Sequence, residues 1–276
     1  MSNPSNKMTH LLKPELFEKR QLLGSNPAAT ASLLLKHASH AQKRPVFEPP
    51  IAVLIRTKND EQNLRLLLDY IQQARRSYKG RIDVVVADTE SQDKTVTIAR
   101  AFGAVVVPIS QQEFTYPKGI NLGMQAVKTD VVATFITVGH ALPVLDICLK
   151  AGAWHFNEPA VVGVYGQVLP NVNASFWESV YRSDSRLRPA AHPIVQAKMG
   201  VMGATNCMVR MKTWRQKPFD PAYAMGGEDT AWAKWALAQG HKIIFEPLLC
   251  VHHSHGLGPI KLLKQHAHWR QSVSRL

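Results

Sequence analysis

From residue 49 to residue 137 the sequence alternates short apolar runs with segments whose apolar residues recur at helical spacing. The first run, residues 51–55, is continuously apolar and follows two prolines, which is typical of a strand buried on both faces. The next segment places four apolar residues on one helix face: Leu64, Leu67, Leu68 and Ile71. Because strands that alternate with helices pair in parallel through right-handed crossovers, the pattern predicts an α/β fold with a Rossmann-like, mostly parallel sheet flanked by helices.

The alternation continues further along the chain. The sequence predicts three more strands in this region, at residues 82–87, 104–107 and 131–137, and two more helices, at 93–102 and 119–127. The second half is less regular, and the elements predicted there are strands at 160–165 and 243–245 and a helix at 230–239. No internal repeat interrupts this order, so we expect one α/β domain with extensions.

Composition divides the chain into three regions. Residues 1–48 carry Pro, Ser, Asn and basic residues, with short helical patterns at 14–23 and 28–37. Two interpretations of this N-terminal extension stay open: a mobile tail, or a helical arm that packs on the domain or on a membrane surface. Residues 49–256 form the predicted domain, and residues 257–276 form a basic C-terminal tail.

The net charge of +13 over 276 residues implies an anionic partner. The sequence has no recognition helix, zinc finger or aromatic RNA-binding motif, so no nucleic acid is expected. No apolar run reaches the roughly 18 residues of a membrane span, and no apolar stretch typical of a secretory signal follows Lys7. Three widely spaced cysteines fit a reducing compartment. We therefore expect a cytoplasmic protein that binds peripherally at the inner face of a membrane.

Polar segments follow three of the predicted strands, at residues 56–60, 88–93 and 138–141. One such segment would mean little, because loops are polar in general. In an open parallel sheet, however, ligands bind outside the carboxyl ends of the strands, and the topology brings these three segments to one edge. The sequence therefore predicts a nucleotide site at that edge.

Four segments resemble family 2 glycosyltransferases. Residues 51–63 (IAVLIRTKNDEQN) and 84–95 (VVVADTESQDKT) are similar to the opening of that family, and residues 219–240 (FDPAYAMGGEDTAWAKWALAQG) and 251–256 (VHHSHG) are similar to its later segments, in the same order. The resemblance implies a GT-A fold and a nucleotide-diphosphate sugar donor, with a UDP-sugar favoured. It further implies transfer with inversion at the anomeric carbon, to a saccharide or lipid-linked acceptor in surface-polysaccharide assembly.

The resemblance also implies a donor site at the strand ends: Thr57, Asn59, Asp60, Asp88, Lys118, Asn121, Gly139 and His140. In the family, the position of Asp88 recognises the nucleobase, and Thr57 and Asn59 would line the same pocket. Structural alternatives stay open for three of them: Asp88 as a helix N-cap or loop acid, Asp60 as an acid at a helix start, and Lys118 as a solvated surface residue.

The acidic pair Glu228 and Asp229 is the candidate catalytic group. An inverting transfer needs one base that takes the proton of the attacking acceptor hydroxyl, and it needs no protein nucleophile. In the family the Asp serves as the base and the Glu supports it, which assigns the role to Asp229. The alternative is an acidic start to the predicted helix.

Two further residues are candidate acceptor contacts. Asn206 lies in a segment that flanks the acceptor site in the family, and its alternative role is to stabilise a turn. Trp232 can stack on a sugar or simply pack in the core.

The metal position departs from the family pattern. Family members place Asp-x-Asp after the fourth strand to hold ribose and a divalent cation, whereas this chain has Val138, Gly139 and His140 there. Because imidazole ligates metals, we expect a divalent ion, Mn²⁺ or Mg²⁺, held by His140 and by His253 of the later histidine-rich segment. A histidine-rich loop without metal is the alternative, as is a relative that binds nucleotide sugars without turnover.

Overall fold

The structure is a computed structural model that describes residues 38–39, 41, 44–171, 174–178, 193–196, 202–224 and 226–274. The helical stretches predicted at residues 14–23 and 28–37 lie outside this part of the chain. None of the helices in the described part is both long and apolar enough to cross a bilayer.

The centre of the fold is an eight-stranded sheet. Its strands are β1 (Ile51–Thr57), β2 (Ile82–Asp88), β3 (Val105–Pro108), β4 (Ala133–Val138), β6 (Val161–Tyr165), β8 (Ile194–Gln196), β9 (Asn206–Arg210) and β10 (Lys242–Phe245). A smaller sheet contains β5 (Leu142–Pro143), β7 (Val168–Leu169) and β11 (Val251–His252). The helices are α1 (Glu61–Ser77), α2 (Thr95–Ala101), α3 (Tyr116–Gln125), α4 (Cys148–Trp154), α5 (Met211–Gln216), α6 (Glu228–Ala238) and α7 (Pro259–Ser274).

The strand order of the large sheet is β3-β2-β1-β4-β9-β6-β10-β8. The pairs β1–β2, β1–β4, β2–β3 and β6–β10 are parallel, which confirms the predicted α/β class with a mostly parallel sheet. Strand β9 runs antiparallel to both β4 and β6, and β8 runs antiparallel to β10. The second half of the chain is therefore mixed in direction, which its irregular sequence pattern did not reveal.

Strand β1 explains why residues 51–55 are continuously apolar. Ile51, Val53 and Ile55 pack in one core cluster, with α1, whereas Ala52 and Leu54 pack in the cluster on the opposite side, with α3 and α6. All five side chains are fully buried because helices cover both faces of the sheet. The four apolar residues predicted on the first helix face lie in the first of these clusters.

Helix α6 begins two residues earlier than the sequence predicted. Gly227 precedes it as the N-cap with φ of 94°, a left-handed conformation that favours glycine. The helix therefore starts at Glu228 instead of residue 230, and both acids lie in its first turn. The first backbone N–H groups of an α-helix have no partner within the helix, so negative charge is favoured at this end.

Residues 44–48 pack against the domain. The Arg44 guanidinium donates to the buried carboxylate of Glu246 at 3.1 Å and lies 4.7 Å from the centre of the Trp154 ring. The Trp154 indole in turn donates to the carbonyl of Pro45 at 3.0 Å. For these residues of the N-terminal extension, the contacts favour the packed arm over the mobile tail.

Candidate active site

The loops after β1 and β4 touch at Gly139. Its amide donates to the carbonyl of Arg56 at 2.9 Å. A Cβ atom at Gly139 would lie 2.8 Å from Oδ2 of Asp60 and 2.9 Å from Oγ1 of Thr57, closer than side chains approach one another. The absence of a side chain at residue 139 is therefore what lets the two loops meet, as the candidate donor site requires.

Asp60 lies behind the imidazole of His140. Oδ2 of Asp60 accepts a hydrogen bond from the Thr57 hydroxyl at 3.3 Å and lies 3.1 Å from Nδ1 of His140. Because a carboxylate can only accept, Nδ1 carries the hydrogen, and a neutral ring then presents a lone pair at Nε2. Nε2 of His140 is buried and has no hydrogen-bond partner.

Three histidines meet at this point. His140 stacks on His253 with ring centres 4.9 Å apart, and His255 lies edge-on, 5.3 Å from His140 and 4.6 Å from His253. One nitrogen from each ring lies within 4.8 Å of the others, a spacing that suits three ligands of one ion. A buried imidazole nitrogen without a partner and two further imidazoles fit a divalent transition metal better than Mg²⁺, which prefers oxygen.

The histidine cluster contains His255, which sequence reasoning did not select. Strand β11 ends at His252, whose Nδ1 lies 2.8 Å from the carbonyl of Pro170. Residues two apart in an extended chain share a face, so His253 and His255 both turn toward His140. The alternation within the segment VHHSHG was the sequence feature that could have identified His255.

Asp88 and Asn59 join the loops after β1 and β2. The Asp88 carboxylate, which is buried, accepts from the backbone N–H and the hydroxyl of Ser91 at 2.9 and 2.5 Å. Asn59 adopts φ of 51°. Its backbone N–H donates to the Ser91 hydroxyl at 2.8 Å, and its side-chain oxygen accepts from the backbone N–H of Gln92 at 2.7 Å. The strand register places Thr57 opposite Asp88, so these residues are neighbours at the predicted edge.

The contacts of Lys118 favour its structural alternative, and the side chain of Asn121 is hydrogen-bonded within the fold. Lys118 forms an ion pair with Glu113 at 2.8 Å on the protein surface. The Asn121 side chain donates to the carbonyl of Phe219 at 2.8 Å and accepts from the N–H of Phe219 and the indole of Trp214 at 3.1 and 3.2 Å. Its amide group therefore anchors α3 to the segment that precedes the acidic pair.

The acidic pair lies at the start of α6, where Glu228 is buried and Asp229 is half-buried. The two oxygens of Asp229 accept one backbone N–H each, from Ala204 and Thr230, both at 2.7 Å. Glu228 is 3% exposed, and its Oε2 has no hydrogen-bond partner. Burial, and then the neighbouring charge of Asp229, raises the pKa of Glu228 to about 7, and burial also raises the pKa of Asp229. The pair therefore holds a proton acceptor near neutral pH, as a general base requires.

Arg56 connects this pair to the end of β1. Its guanidinium donates to the carbonyl of Ala204 at 3.0 Å, the residue whose N–H binds Asp229. The charge of Arg56 lowers the pKa of both acids and opposes the effect of burial. Sequence reasoning did not assign a role to Arg56, although an arginine at the end of a buried strand was a visible feature.

The two candidate acceptor residues are buried. Asn206 is 1% exposed and donates to the carbonyls of Gln167 and Leu249 at 2.9 and 2.8 Å. Trp232 is 2% exposed, and its indole donates to the carbonyl of Lys217 at 2.7 Å. These contacts favour the turn-stabilising role for Asn206 and the packing role for Trp232.

Comparisons with solved structures place this architecture among GT-A glycosyltransferase folds. A mannosyltransferase from Pyrobaculum calidifontis, in complex with GDP-Man and Mn²⁺, matches with a TM-score of 0.60 and 16% identity, covering 90% of this chain and 73% of that one. Mannosyl-3-phosphoglycerate synthase from Rubrobacter xylanophilus matches at 0.57 and 12%, covering 88% and 76%. Glucosyl-3-phosphoglycerate synthase from Mycobacterium tuberculosis, in complex with phosphoglyceric acid, matches at 0.54 and 13%, covering 92% and 84%.

The sheet order and these structural matches thus define a GT-A fold. Residues 52–136 match the family described as glycosyl transferase family 2. Residues 52–136 therefore resemble family 2 glycosyltransferases, and the resemblance predicted from the sequence is confirmed. A comparison with curated proteins found no significant match.

Proposed function

We propose that this protein is an inverting glycosyltransferase that moves a sugar from a nucleotide-diphosphate donor to a hydroxyl of a saccharide or lipid-linked acceptor in surface-polysaccharide assembly. The observation that carries the proposal is the pair Glu228 and Asp229, buried and half-buried with raised pKa values, which Ala204 and Arg56 connect to the end of β1 at the predicted nucleotide edge. The family match over residues 52–136 supports the same reaction class.

In this proposal, the acceptor oxygen attacks the anomeric carbon, the bond to the nucleotide diphosphate breaks, and the base takes the hydroxyl proton. The family resemblance assigns the base to Asp229, whose carboxylate is held in one orientation by the N–H groups of Ala204 and Thr230. Glu228, with no hydrogen bond at Oε2, is the alternative proton acceptor. Either acid must be ionised to act, so turnover should fall as the pH drops below the pKa of the pair.

The donor would lie along the edge formed by the loops after β1, β2 and β4. Asp88 offers carboxylate oxygens to N–H groups of the base, and its bonds to Ser91 orient it. A UDP-sugar is the favoured donor, because uracil presents such an N–H. Mannosyl and glucosyl transfer occur among the structural relatives, whose complexes contain GDP-Man in one case and UDP-Glc in another.

His140, His253 and His255 would hold a divalent ion in this proposal, and the carboxylate of Asp60 would orient His140. When bound, such an ion stabilises negative charge on the departing diphosphate. The structural relatives that were solved with Mn²⁺ support a divalent metal for this protein. Since the ligands are imidazoles, we expect Mn²⁺ to be preferred over Mg²⁺.

The test is a panel of nucleotide sugars incubated with the protein after chelation, and again after Mn²⁺ or Mg²⁺ is restored. We expect donor hydrolysis or transfer with Mn²⁺ above Mg²⁺ and little in chelator, and an anomeric configuration in the product opposite to that of the donor. His140→Ala should weaken Mn²⁺ binding by about 10-fold or more in calorimetry.

Several outcomes would contradict parts of the proposal. A product with the donor's anomeric configuration would exclude inversion, and full activity in chelator would exclude the metal role of the histidines. Saturable binding of a nucleotide sugar without any turnover would favour the second candidate, a binding protein, which the replacement of the family's two carboxylates by Val138 and His140 suggests.

A further inference from the structure

Four large apolar side chains are exposed near the histidine cluster. Phe176 and Trp177 are each 50% exposed and contact one another edge-to-face, and Ile260 and Leu263 at the start of α7 are 69% and 71% exposed. Ile260 and Leu263 are three residues apart and so lie on one side of the helix. Exposed large apolar groups that lie together, instead of singly, mark a binding surface.

Hydrogen bonds hold these two segments side by side. The Ser175 hydroxyl donates to the carbonyl of Leu257 at 2.5 Å. Ser175 directly precedes Phe176 in the first segment, and Leu257 lies three residues before Ile260 in the second. Glu178 accepts from the N–H of Ser175 at 3.3 Å and from the N–H of His255 at 2.9 Å. We refer to Phe176, Trp177, Ile260, Leu263, Lys261 and Lys264 as the aromatic–lysine face.

The charge of this face is of one sign. Lys261 and Lys264 are exposed and alternate with the apolar residues of α7. Residues 247–274 contain no Asp or Glu, and the acid of the neighbouring segment, Glu178, is 2% exposed with its oxygens bound to backbone N–H groups. The apolar groups are therefore framed by positive charge that no exposed acid of these segments neutralises.

We propose that the aromatic–lysine face docks on an anionic lipid bilayer. Aromatic and aliphatic side chains insert at the boundary between headgroups and acyl chains, and lysines beside them bind lipid phosphate. The same lysines disfavour a symmetric contact between two copies, since it would bring the lysines of both copies into one apolar interface. They would also serve a nucleic acid, but that partner would leave Ile260 and Leu263 in water.

Docking in this way sets the orientation of the histidine cluster. Glu178 binds the backbone of His255, so the cluster lies next to the face and opens beside the membrane plane. Under the proposed glycosyltransferase function, this orientation selects the lipid-linked acceptor over a freely diffusing saccharide. That consequence rests on the proposed function, whereas docking itself does not.

Flotation of the full chain with vesicles tests the docking. Vesicles of phosphatidylcholine mixed with phosphatidylglycerol should carry the protein upward, vesicles of phosphatidylcholine alone should carry much less, and high salt should release it. Lys261→Glu with Lys264→Glu, and separately Trp177→Ser with Leu263→Ser, should each lower partitioning by at least about tenfold.

Matched controls change the same properties elsewhere on the surface. Arg65→Glu with Arg76→Glu alters charge equally on exposed residues of α1, and Leu66→Ser with Val105→Ser removes two other exposed apolar side chains. Both controls should float like the wild type. Circular dichroism and the unfolding midpoint establish that each variant is folded.

Brominated lipids locate the contact directly. They should quench tryptophan fluorescence of the wild type, and most of that quenching should disappear in Trp177→Phe, which keeps an apolar ring. Equal recovery with neutral and anionic vesicles, or an equal loss of binding in the matched controls, would overturn the proposal. The proposal would also be overturned if light scattering showed a dimer and Leu263→Ser dissociated that dimer. None of these measurements uses a sugar donor, so a failure of the proposed reaction would not be mistaken for a failure of docking.

Discussion

Glu228 and Asp229 are adjacent in sequence, yet their carboxyl groups lie in different environments. Each oxygen of Asp229 accepts a backbone N–H, which stabilises its anion, whereas Oε2 of Glu228 accepts none. Burial and the charge of Asp229 therefore raise the pKa of Glu228 to about 7, far from its ordinary 4.5. Strongly perturbed pKa values cluster at functional sites, which is the reason to test both acids separately.

At the scale of these residues, we expect Asp229→Asn to lower turnover by at least about 100-fold while donor affinity changes little, because it keeps the shape and removes the proton acceptor. The opposite result would identify Glu228 as the base. In that case Glu228→Gln loses the activity, whereas Asp229→Asn stays active and its kcat falls only at a lower pH than in the wild type. The measurements are kcat against pH and calorimetry with nucleoside diphosphate.

Glu228→Gln has a further consequence for stability. A carboxyl group whose pKa is higher in the folded than in the unfolded chain costs stability as the pH rises from the lower to the higher value. Removing the charge should raise the free energy of unfolding by about 1 to 3 kcal/mol above about pH 7, and by little near pH 4. Urea unfolding at both pH values gives the comparison, and an equal effect at both would contradict the buried-charge explanation.

At the scale of elements, the site depends on how closely the loops after β1 and β4 approach. Gly139→Ala would place a Cβ within 2.9 Å of the Thr57 hydroxyl and closer still to Asp60. The loops must then separate, at a cost of about 1 to 3 kcal/mol, and His140 should lose its alignment with Asp60. We expect Mn²⁺ affinity, measured by calorimetry, to fall by at least about tenfold.

The control for this loop variant is Gly258→Ala. A Cβ at Gly258 meets no atom within 4 Å, so this change should leave both Mn²⁺ affinity and the unfolding midpoint near the wild-type values. Unchanged Mn²⁺ affinity in Gly139→Ala would show that the loop contact is not needed to form the histidine cluster.

At the scale of the whole molecule, the buried carboxylate of Glu246 attaches the N-terminal arm to the domain. His155 Nε2 lies 2.6 Å from its Oε2, and Arg44 donates to the same oxygen. Burial alone would raise the pKa of Glu246, but the hydrogen bond with His155 and the charges of His155 and Arg44 hold it below its ordinary value. This acid therefore stabilises the fold above its unfolded pKa, and the contribution is lost as pH falls through the folded pKa.

We predict that Glu246→Gln lowers the free energy of unfolding at about pH 7 by about 2 to 4 kcal/mol, because Arg44 and His155 would lose the buried carboxylate that they contact. The difference from the wild type should shrink toward about pH 3. Glu158→Gln is the control: its ion pair with Lys242 is about half exposed and should contribute less than about 1 kcal/mol. A pH-independent difference would mean that packing, not charge, attaches the arm.

The sequence by itself determined the first half of the fold. Strand β1 had to be apolar at every position because both of its faces are covered, and α1 had to carry its leucines on one face. These are local patterns, and the structure confirms the elements of this half with boundaries shifted by up to three residues. The polar edge after β1, β2 and β4 lies in the same region, as do two of the four segments that carry the family resemblance.

Only the tertiary structure decided how the second half completes the site. The antiparallel insertion of β9 between β4 and β6 brings Ala204 to both Arg56 and Asp229, partners that lie 148 and 25 residues away in sequence. The packing of β11 against β5 likewise brings His255 to His140. No periodicity records such contacts, because long-range pairing depends on which strands are neighbours, and that is set by the free energy of the whole core and not by any one segment.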